Sequence, residues 1–225
     1  MKRNNIYITL LLVLLMNTSY GQATKSDPTD IQSWLKAGVD LDLPKKWKVD
    51  VEYQARIFND LKTFNGSFYS VGIEKGISSW FAMQAEYRLA KVLKGTYNRI
   101  SAGFVLDEKV NDIKLDLRVL YQNQVQDFVD PAKENDKNNF VRMRMRGRRE
   151  IFDKVDLSLS AEPIYQLQSG LQIDNYIFQA GLNYHFTKAT SLDLFYLNRP
   201  DFAKSYKRQY HVFGIAFKHE IKISN

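Results

Sequence analysis

The stretch Lys48-Val49-Asp50-Val51-Glu52-Tyr53-Gln54-Ala55-Arg56-Ile57 alternates polar and apolar side chains without interruption. Because successive side chains of a β-strand point to opposite faces, this order puts every charged or amide group on one face and every apolar group on the other. A helix would scatter the same polar residues around its circumference. The stretch therefore predicts a β-strand with one polar and one apolar face.

The same alternation recurs to the end of the chain, in segments of about ten residues separated by turn-like residues. The segments cover residues 33–43, 47–58, 66–75, 80–90, 96–107, 112–124, 139–147, 154–165, 174–186, 190–198 and 209–222. Soluble strands most often have about 5–6 residues, whereas membrane-spanning strands need about 9–11. We therefore expect an all-β fold, a single antiparallel transmembrane β-barrel of about 10–12 strands.

The connections between these segments alternate in length, which favours the same fold. Short connections lie near residues 44–46, 75–79, 107–111, 149–153 and 187–189, and long ones near 59–65, 91–95, 125–138, 166–173 and 198–208. Short periplasmic turns and longer extracellular loops are the outer-membrane arrangement. With eleven segments, however, the first and last run in the same direction, so an even-stranded barrel needs one more crossing. Either residues 22–32 supply it as a plug or irregular strand, or one segment is miscounted.

Aromatic residues gather near the ends of the predicted strands, where outer-membrane barrels carry aromatic girdles at both interfaces. The girdle residues that we expect are Trp34, Trp47, Trp80, Tyr121, Tyr165 and Phe186.

Residues 1–21 have the order of a secretory signal peptide. Lys2 and Arg3 precede an apolar run from Ile6 to Met16, and the small residues Ser19 and Gly21 precede a cleavage site before Gln22. The run is too short for a membrane helix, which disfavours an uncleaved anchor. We thus expect a signal peptide (1–21), an N-terminal segment (22–32) and an outer-membrane barrel (33–225). The absence of cysteine excludes disulfides, thiolate metal sites and cysteine nucleophiles.

The polar faces carry nearly equal numbers of basic and acidic residues, and one strand stands out among them. Arg142, Arg144, Arg146 and Arg148 recur at every second position, so they form a ladder on one inner wall. The candidates for lining a pore and contacting anions are Arg142, Arg144, Arg146, Arg118, Arg88 and Arg56. The candidate interior charge partners are Asp116, Asp156, Glu86 and Glu52. Two interpretations stay open: ion pairs fill the lumen, or the ladder binds or conducts anions.

Catalytic and metal sites are not indicated. Of His185, His211 and His219, only His185 has a hydroxyl residue two positions later, Thr187, and the three show no metal-ligand spacing. We expect no catalytic residue, no metal and no cofactor. The run Arg142–Arg149 also has the composition of a nucleic-acid patch, but export disfavours that partner. The expected partners are outer-membrane lipid and small polar or anionic solutes, and no sequence feature indicates a protein partner.

Several short motifs resemble those of a known family. They are Trp34, Pro44-Lys45-Lys46-Trp47, Glu52-Tyr53-Gln54-Ala55-Arg56, Glu86-Tyr87-Arg88 and Tyr210-His211-Val212-Phe213-Gly214-Ile215. With them the chain resembles the domain-of-unknown-function 2490 family of small Gram-negative outer-membrane barrels. The resemblance implies an outer-membrane barrel without an established activity, and it supplies no catalytic residues.

The function expected from these observations is a structural role or a passive pore for small polar or anionic solutes. Two alternatives remain. One is an outer-membrane lipid-modifying enzyme, which needs a nucleophile and a base that the sequence does not indicate. The other is a soluble periplasmic β-barrel that binds an apolar ligand, whose apolar faces would point inward.

Overall fold

The computed structural model describes residues 29–129, 136–168, 170–201 and 208–223. Within them the chain forms eleven β-strands and one short 3-10 turn, Pro44–Lys46. The strands are β1 (Thr29–Leu43), β2 (Trp47–Phe58), β3 (Thr63–Gly76), β4 (Phe81–Val92), β5 (Gly95–Val110), β6 (Ile113–Phe128), β7 (Asp136–Phe152), β8 (Val155–Gln166), β9 (Gln172–His185), β10 (Thr190–Asp201) and β11 (Arg208–Lys222).

Each of the eleven alternating segments corresponds to one strand, in the predicted order. β2 has the predicted bounds, and most other strands are longer, because pairing continues into the connections. β1 begins at Thr29, so residues 29–32 belong to a regular strand and not to a separate N-terminal segment. The signal peptide and residues 22–28 lie outside the described residues and remain predictions.

The sheet closes on itself through one parallel pair. All sequence neighbours pair antiparallel, while β1 pairs with β11 in parallel, from Thr29 opposite Gln209 to Asp42 opposite Lys222. The barrel closes with eleven strands, so the assumption of an even strand number was wrong, and closure needs neither an additional crossing nor a corrected segment count. Parallel ladders use evenly spaced, slanted hydrogen bonds, which allow two strands of the same direction to close the barrel. The start of β1 and the end of β11 consequently lie at opposite mouths.

The alternation sorts side chains between the outside and the inside of the barrel. On β2, Val51 is 48% exposed and Tyr53 is 41% exposed, whereas Gln54 is 1% exposed. Charged side chains at outward positions of the described strands lie within three residues of a strand end, and these are Lys75, Lys91, Glu108, Asp127, Lys137, Arg149 and Asp174. The outer wall between them carries no Asp, Glu, Lys or Arg and is mostly apolar, as a lipid-facing surface requires. A soluble barrel with an apolar interior has the opposite arrangement.

None of the helices formed by the described residues has the length and apolar character to cross a membrane.

The stagger of the strands sets the width of the barrel. A path of paired residues that leaves β1 at Leu43 and passes through every strand returns to β1 at Thr29, 14 residues away. With a rise of about 3.3 Å per residue and a strand spacing of about 4.8 Å, this stagger gives a tilt of about 40° and a backbone radius of about 11 Å. Long side chains that point inward therefore occupy much of the cross-section of the lumen.

The two mouths differ in the longest connections that they carry. One mouth, the turn end, carries the connections 44–46, 77–80, 111–112, 153–154 and 186–189, and the other, the loop end, carries 59–62, 93–94, 129–135, 167–171 and 202–207. The long connection expected near residues 91–95 has only two residues, because β4 and β5 stay paired as far as Val92 and Gly95. Gly95 has a φ of +145°, and a Cβ there would meet the carbonyl oxygen of Asp127 at 2.0 Å, so the position requires glycine.

Candidate functional site: the charged lumen

The arginine ladder lies on the inner face of β7, as the alternation predicts. Val141, Met143 and Met145 occupy the intervening positions, opposite Tyr121, Val119 and Leu117 on the outer face of β6. Arg142, Arg144 and Arg146 thereby line up along the barrel wall between the inner faces of β6 and β8.

Two nearly inaccessible carboxylates each bind two arginines of this wall. Glu162 accepts hydrogen bonds from Arg118 and Arg142, with N–O distances of 3.1 Å and 2.9 Å. Asp116 accepts from Arg144 at 2.9 Å and Arg146 at 2.6 Å. The side chains of Glu162 and Asp116 are only 7% and 2% exposed. Since one negative charge serves two positive ones, each group keeps a net positive charge.

A second set of ion pairs connects the walls of β1, β2, β4 and β5. Glu86 accepts a 2.7 Å hydrogen bond from Arg99 and lies 3.6 Å from Arg88, and Glu52 lies 3.8 Å from Arg88 and 3.6 Å from Lys36. Here two carboxylates serve three cations, so this set is also net positive.

Arg56 contacts aromatic rings in place of a carboxylate. Its guanidinium carbon lies 3.9 Å from the ring centre of Trp34 and 3.9 Å from that of Phe68. Arg199 is placed similarly, 4.5 Å from the ring centre of Tyr210. Among the described residues, no carboxylate oxygen lies within 4.0 Å of either guanidinium.

Charge is distributed unevenly along the barrel axis. Given the tilt, each residue along a strand advances about 2.5 Å along the axis and each step between paired strands about 3.2 Å. On this scale, a band about 15 Å tall in the middle and loop-end part of the lumen holds eight basic residues and three acidic ones. They are Lys36, Arg56, Arg88, Arg99, Arg118, Arg142, Arg144 and Arg199 against Glu52, Glu86 and Glu162. Most inward carboxylates lie nearer the turn end, and these include Asp40, Asp42, Asp50, Glu74, Asp107, Asp156, Asp193 and Glu220.

The structure brings most of the predicted lumen residues together. Every candidate arginine occupies an inward position, and Asp116, Glu86 and Glu52 each lie within 4.0 Å of at least one basic residue. Asp156 differs, because its carboxylate contacts His185 at 3.2 Å near the turn end and not the arginine ladder.

The hydroxyl of Thr187, the one hydroxyl two positions after a histidine in the sequence, accepts hydrogen bonds from the backbone N–H groups of Ala189 and Thr190 in its own turn. No group of three or more His, Asp or Glu side chains in the described part of the chain is arranged to hold a metal ion.

One predicted girdle residue lies on the opposite side of the wall. Trp34 occupies an even position of β1, in phase with Lys36, so its ring points inward and is 7% exposed. It packs in an apolar cluster with residues of β10 and β11, which are Phe195, Leu197, Tyr210, Val212 and Ala216. Of the other predicted girdle residues, Trp47, Tyr121 and Phe186 are exposed at outward positions and Tyr165 is half-buried at one, while Trp80 is exposed in the turn-end connection 77–80.

A collar of tyrosines surrounds the outside of the barrel toward the loop end. Each tyrosine hydroxyl hydrogen-bonds a polar outward residue of the next strand, and the four pairs lie at nearly the same height. The pairs are Tyr53–Ser67 (3.1 Å), Tyr87–Asn98 (2.8 Å), Tyr121–Asn139 (2.8 Å) and Tyr196–His211 (2.6 Å). Such a belt, apolar on one side and polar on the other, is typical of the boundary between hydrocarbon and headgroups.

Arg199 and Phe68 are lumen residues that the sequence pattern did not single out. On β10 both faces are largely apolar, since Phe195 and Leu197 point inward while Leu194 and Tyr196 point outward. The alternation that marks the other strands is therefore masked there, and counting positions from Asp193 would have placed Arg199 on the inner face.

The fold has counterparts among solved structures. The NanC porin in a rhombohedral crystal form aligns with 75% of this chain and 86% of its own, at 12% sequence identity and a TM-score of 0.51. OccK8 (OprE) of Pseudomonas aeruginosa aligns with 74% of this chain and 57% of its own, at 7% identity and a TM-score of 0.38. At these identities the likeness concerns the fold alone. No curated protein matches the chain.

The sequence of the chain from residue 31 to 210, most of the barrel, matches the family described as "Protein of unknown function (DUF2490)". The chain therefore belongs to the DUF2490 family.

Proposed function

We propose that this protein is an outer-membrane pore that passes small anionic solutes through a narrow, arginine-lined lumen. The observation that carries the proposal is the excess of basic over acidic residues in the middle and loop-end band of the lumen. Rings and ladders of arginine favour anions in pores because they create a positive potential in a confined space.

The shared carboxylates support an anion preference over a neutral, ion-paired plug. If each arginine had its own carboxylate, the lumen would offer little net potential. Instead Glu162 and Asp116 are each divided between two guanidinium groups, which stay protonated at all physiological pH values. The residual positive charge is available to a passing anion.

The packing of the lumen supports a narrow pore. The side chains of Arg88, Arg142 and Arg144 are 16%, 13% and 20% exposed, so little water surrounds them. Toward the turn end the inward side chains are better hydrated, since Lys48 and Lys218 are 61% and 47% exposed. A solute would thus pass between a hydrated turn-end section and a tight cationic section. We expect small conductance and exclusion of bulky solutes.

The apolar outer wall and the tyrosine collar support the outer-membrane location. The predicted signal peptide agrees with export, and closed β-barrels are the β-structures that span bilayers, because every strand is paired on both edges.

The proposal is tested by ion selectivity in a planar bilayer with a salt gradient. The test variant is Arg118→Gln/Arg144→Gln, which removes one arginine from each shared carboxylate and leaves Arg142 and Arg146 to pair with Glu162 and Asp116. We expect a wild-type reversal potential of anion-selective sign and an anion-to-cation permeability ratio about two- to fivefold lower in the variant.

The matched control removes two positive charges outside the lumen, at exposed turns of the turn end. Lys154→Gln/Lys188→Gln should leave the permeability ratio unchanged. A cation-selective wild type, or a ratio that falls equally in the control variant, would overturn the proposal.

A further inference from the structure

The loop-end part of the lumen contains a rigidly held guanidinium. Arg56 lies between the rings of Trp34 and Phe68, with its carbon 3.9 Å from each ring centre, and one terminal nitrogen donates a 3.0 Å hydrogen bond to the amide oxygen of Gln54. Gln54 is itself almost completely buried. Both faces of the guanidinium are thereby covered, and its orientation is fixed.

The aromatic side of this arrangement is held in turn by polar residues of β1. The indole N–H of Trp34 donates to the side-chain oxygen of Gln32 at 3.1 Å, and the Gln32 amide donates to Asp30 at 2.8 Å. This chain of hydrogen bonds leads from the loop-end rim to the ring that stacks on Arg56.

A second guanidinium, which has no carboxylate oxygen within 4.0 Å among the described residues, lies at about the same height. Arg199 stacks on Tyr210, and Tyr210 packs in the same buried cluster as Trp34, the ring that covers one face of Arg56. Across the seam of the barrel the two arginines are separated by β11 and β1, whose inward residues there include Val212 and Trp34. Val212 is completely buried, so the wall between the arginines is dry.

Two like charges beside a dry apolar wall are an unfavourable arrangement unless an anion joins them. Stacking covers the faces of a guanidinium and leaves its N–H edge, and that edge matches the two oxygens of a carboxylate or phosphate group. The Nε–H groups of both Arg56 and Arg199 are buried and lack a hydrogen-bond acceptor within the described residues, as do those of Arg88, Arg99, Arg118 and Arg144. What distinguishes Arg56 and Arg199 from these four is that no carboxylate oxygen of the described residues lies within 4.0 Å of them. The site thus offers fixed donors, positive charge and low hydration.

We infer that Arg56 and Arg199 form an oxyanion-binding subsite at the loop-end entrance of the constriction, which takes the carboxylate or phosphate group of a permeating solute. The inference rests on the proposed function, because it assigns a binding step to the anion path. Trp34 and Phe68 orient Arg56, and Tyr210 orients Arg199.

Trp34 provides the readout for the test. The chain has three tryptophans, and Trp47 and Trp80 are exposed at the turn end, far from the subsite, so the Trp47→Phe/Trp80→Phe protein reports from the subsite alone. Its fluorescence would be titrated in detergent micelles with sodium acetate and with sodium phosphate at constant ionic strength, made up with sodium chloride. We expect a saturable change with at least one of the two oxyanions, beyond the response to chloride alone.

Arg199→Gln is the decisive variant, because Arg199 does not stack on Trp34 and its loss leaves the reporter's own contacts in place. It should weaken the apparent affinity at least about fivefold. Arg199→Lys keeps the positive charge but not the planar guanidinium, so its apparent affinity should lie between those of the wild type and Arg199→Gln. The control Lys188→Gln should bind the oxyanion as tightly as the wild type does.

The outcomes separate this inference from the proposed function. A response to acetate alone identifies a carboxylate subsite, a response to phosphate alone a phosphate subsite, and both support the inference. Anion-selective conductance with a linear, non-saturating fluorescence response overturns the subsite and leaves the pore. Saturable binding that is lost in Arg199→Gln, in a barrel that does not conduct, supports the subsite and overturns the pore.

Discussion

Glu162, like Asp116, is a carboxylate that two lumen arginines share. The carboxylate of Glu162 pairs with the positive charges of both Arg118 and Arg142, and its side chain is almost completely buried. Glu162→Gln should lower the free energy of unfolding by about 2–4 kcal/mol, because it leaves two neighbouring guanidinium groups without a counter-charge. Urea unfolding of the refolded protein, followed by tryptophan fluorescence and by the gel shift between folded and heated forms, measures this loss.

The matched control for Glu162 is Asp156, an inward carboxylate nearer the turn end that contacts His185 and is better hydrated. Asp156→Asn should change the unfolding free energy by less than about 1 kcal/mol. Equal effects of the two substitutions would show that the shared carboxylate has no special role.

Gly214 illustrates a residue whose importance lies in the space that it leaves. The ring of Phe195 lies over it, and a Cβ at position 214 would come within 1.9 Å of Phe195 Cζ. Gly214→Ala should therefore destabilise the barrel by about 1–3 kcal/mol, and Phe195→Leu in the same chain should restore part of the loss. At Gly147 a Cβ makes only ordinary van der Waals contacts, with Leu115 at 3.5 Å and Ile113 at 3.8 Å, so Gly147→Ala should be tolerated in the same unfolding assay. A harmless Gly214→Ala would contradict the packing at the seam.

Among the elements, β3 offers two outward positions at different depths in the membrane, where the cost of the same arginine substitution can be compared. Val71 and Ser67 are both outward residues of this strand, but Val71 lies near the middle of the apolar wall and Ser67 at the tyrosine collar. Val71→Arg should cost about 2–4 kcal/mol and Ser67→Arg about 0–1 kcal/mol, since the penalty for a lipid-facing arginine falls toward the interface. Unfolding from lipid bilayers measures both, and equal costs would contradict the assignment of the collar to the membrane boundary.

The elements were largely predictable from the sequence, and the reason is local. In β2 the apolar and polar residues alternate strictly, because one face meets lipid and the other the lumen, so the strand and its inner face follow from the sequence. β10 is apolar on both faces around Phe195, and there an apolar segment of strand length was recognised, but the masked alternation did not show the inward position of Arg199. Trp34 was predicted on the outer face for a related reason, since a tryptophan near a strand end is typical of a girdle. Only its position in phase with Lys36 indicates that its side chain points into the lumen.

The pairing of ends and the pairing of charges could not be predicted from the sequence. The parallel closure of β1 against β11 depends on contacts between residues at opposite ends of the chain. Likewise, the sharing of Asp116 between Arg144 and Arg146 depends on the register of β6 against β7, which alternation alone leaves open by steps of two residues.

For the whole molecule, the odd strand number has a consequence for topology. The backbone N–H of Leu61 in a loop-end connection donates to the carbonyl of Ile31, and that of Ile223 donates to the carbonyl of Asp42 near the turn end. The start of β1 and the end of β11 therefore lie on opposite sides of the membrane. Because the chain has no cysteine, single substitutions can be labelled cleanly.

In intact cells, a membrane-impermeant maleimide should label Thr29→Cys and Leu61→Cys, whereas Lys154→Cys and Ile223→Cys should react only after the outer membrane is opened. Thr29→Cys and Ile223→Cys reacting in the same compartment would contradict the parallel closure, and Lys154→Cys reacting in intact cells would reverse the orientation.

The most direct test of the whole account is single-channel recording of the wild-type protein, folded in detergent and inserted into a planar bilayer with a potassium chloride gradient. The account predicts small, resolvable conductance steps whose reversal potential has the sign of chloride selectivity, because the tight section of the lumen carries a net positive charge. A correctly folded barrel that gives silent bilayers, or steps that favour potassium, would contradict it.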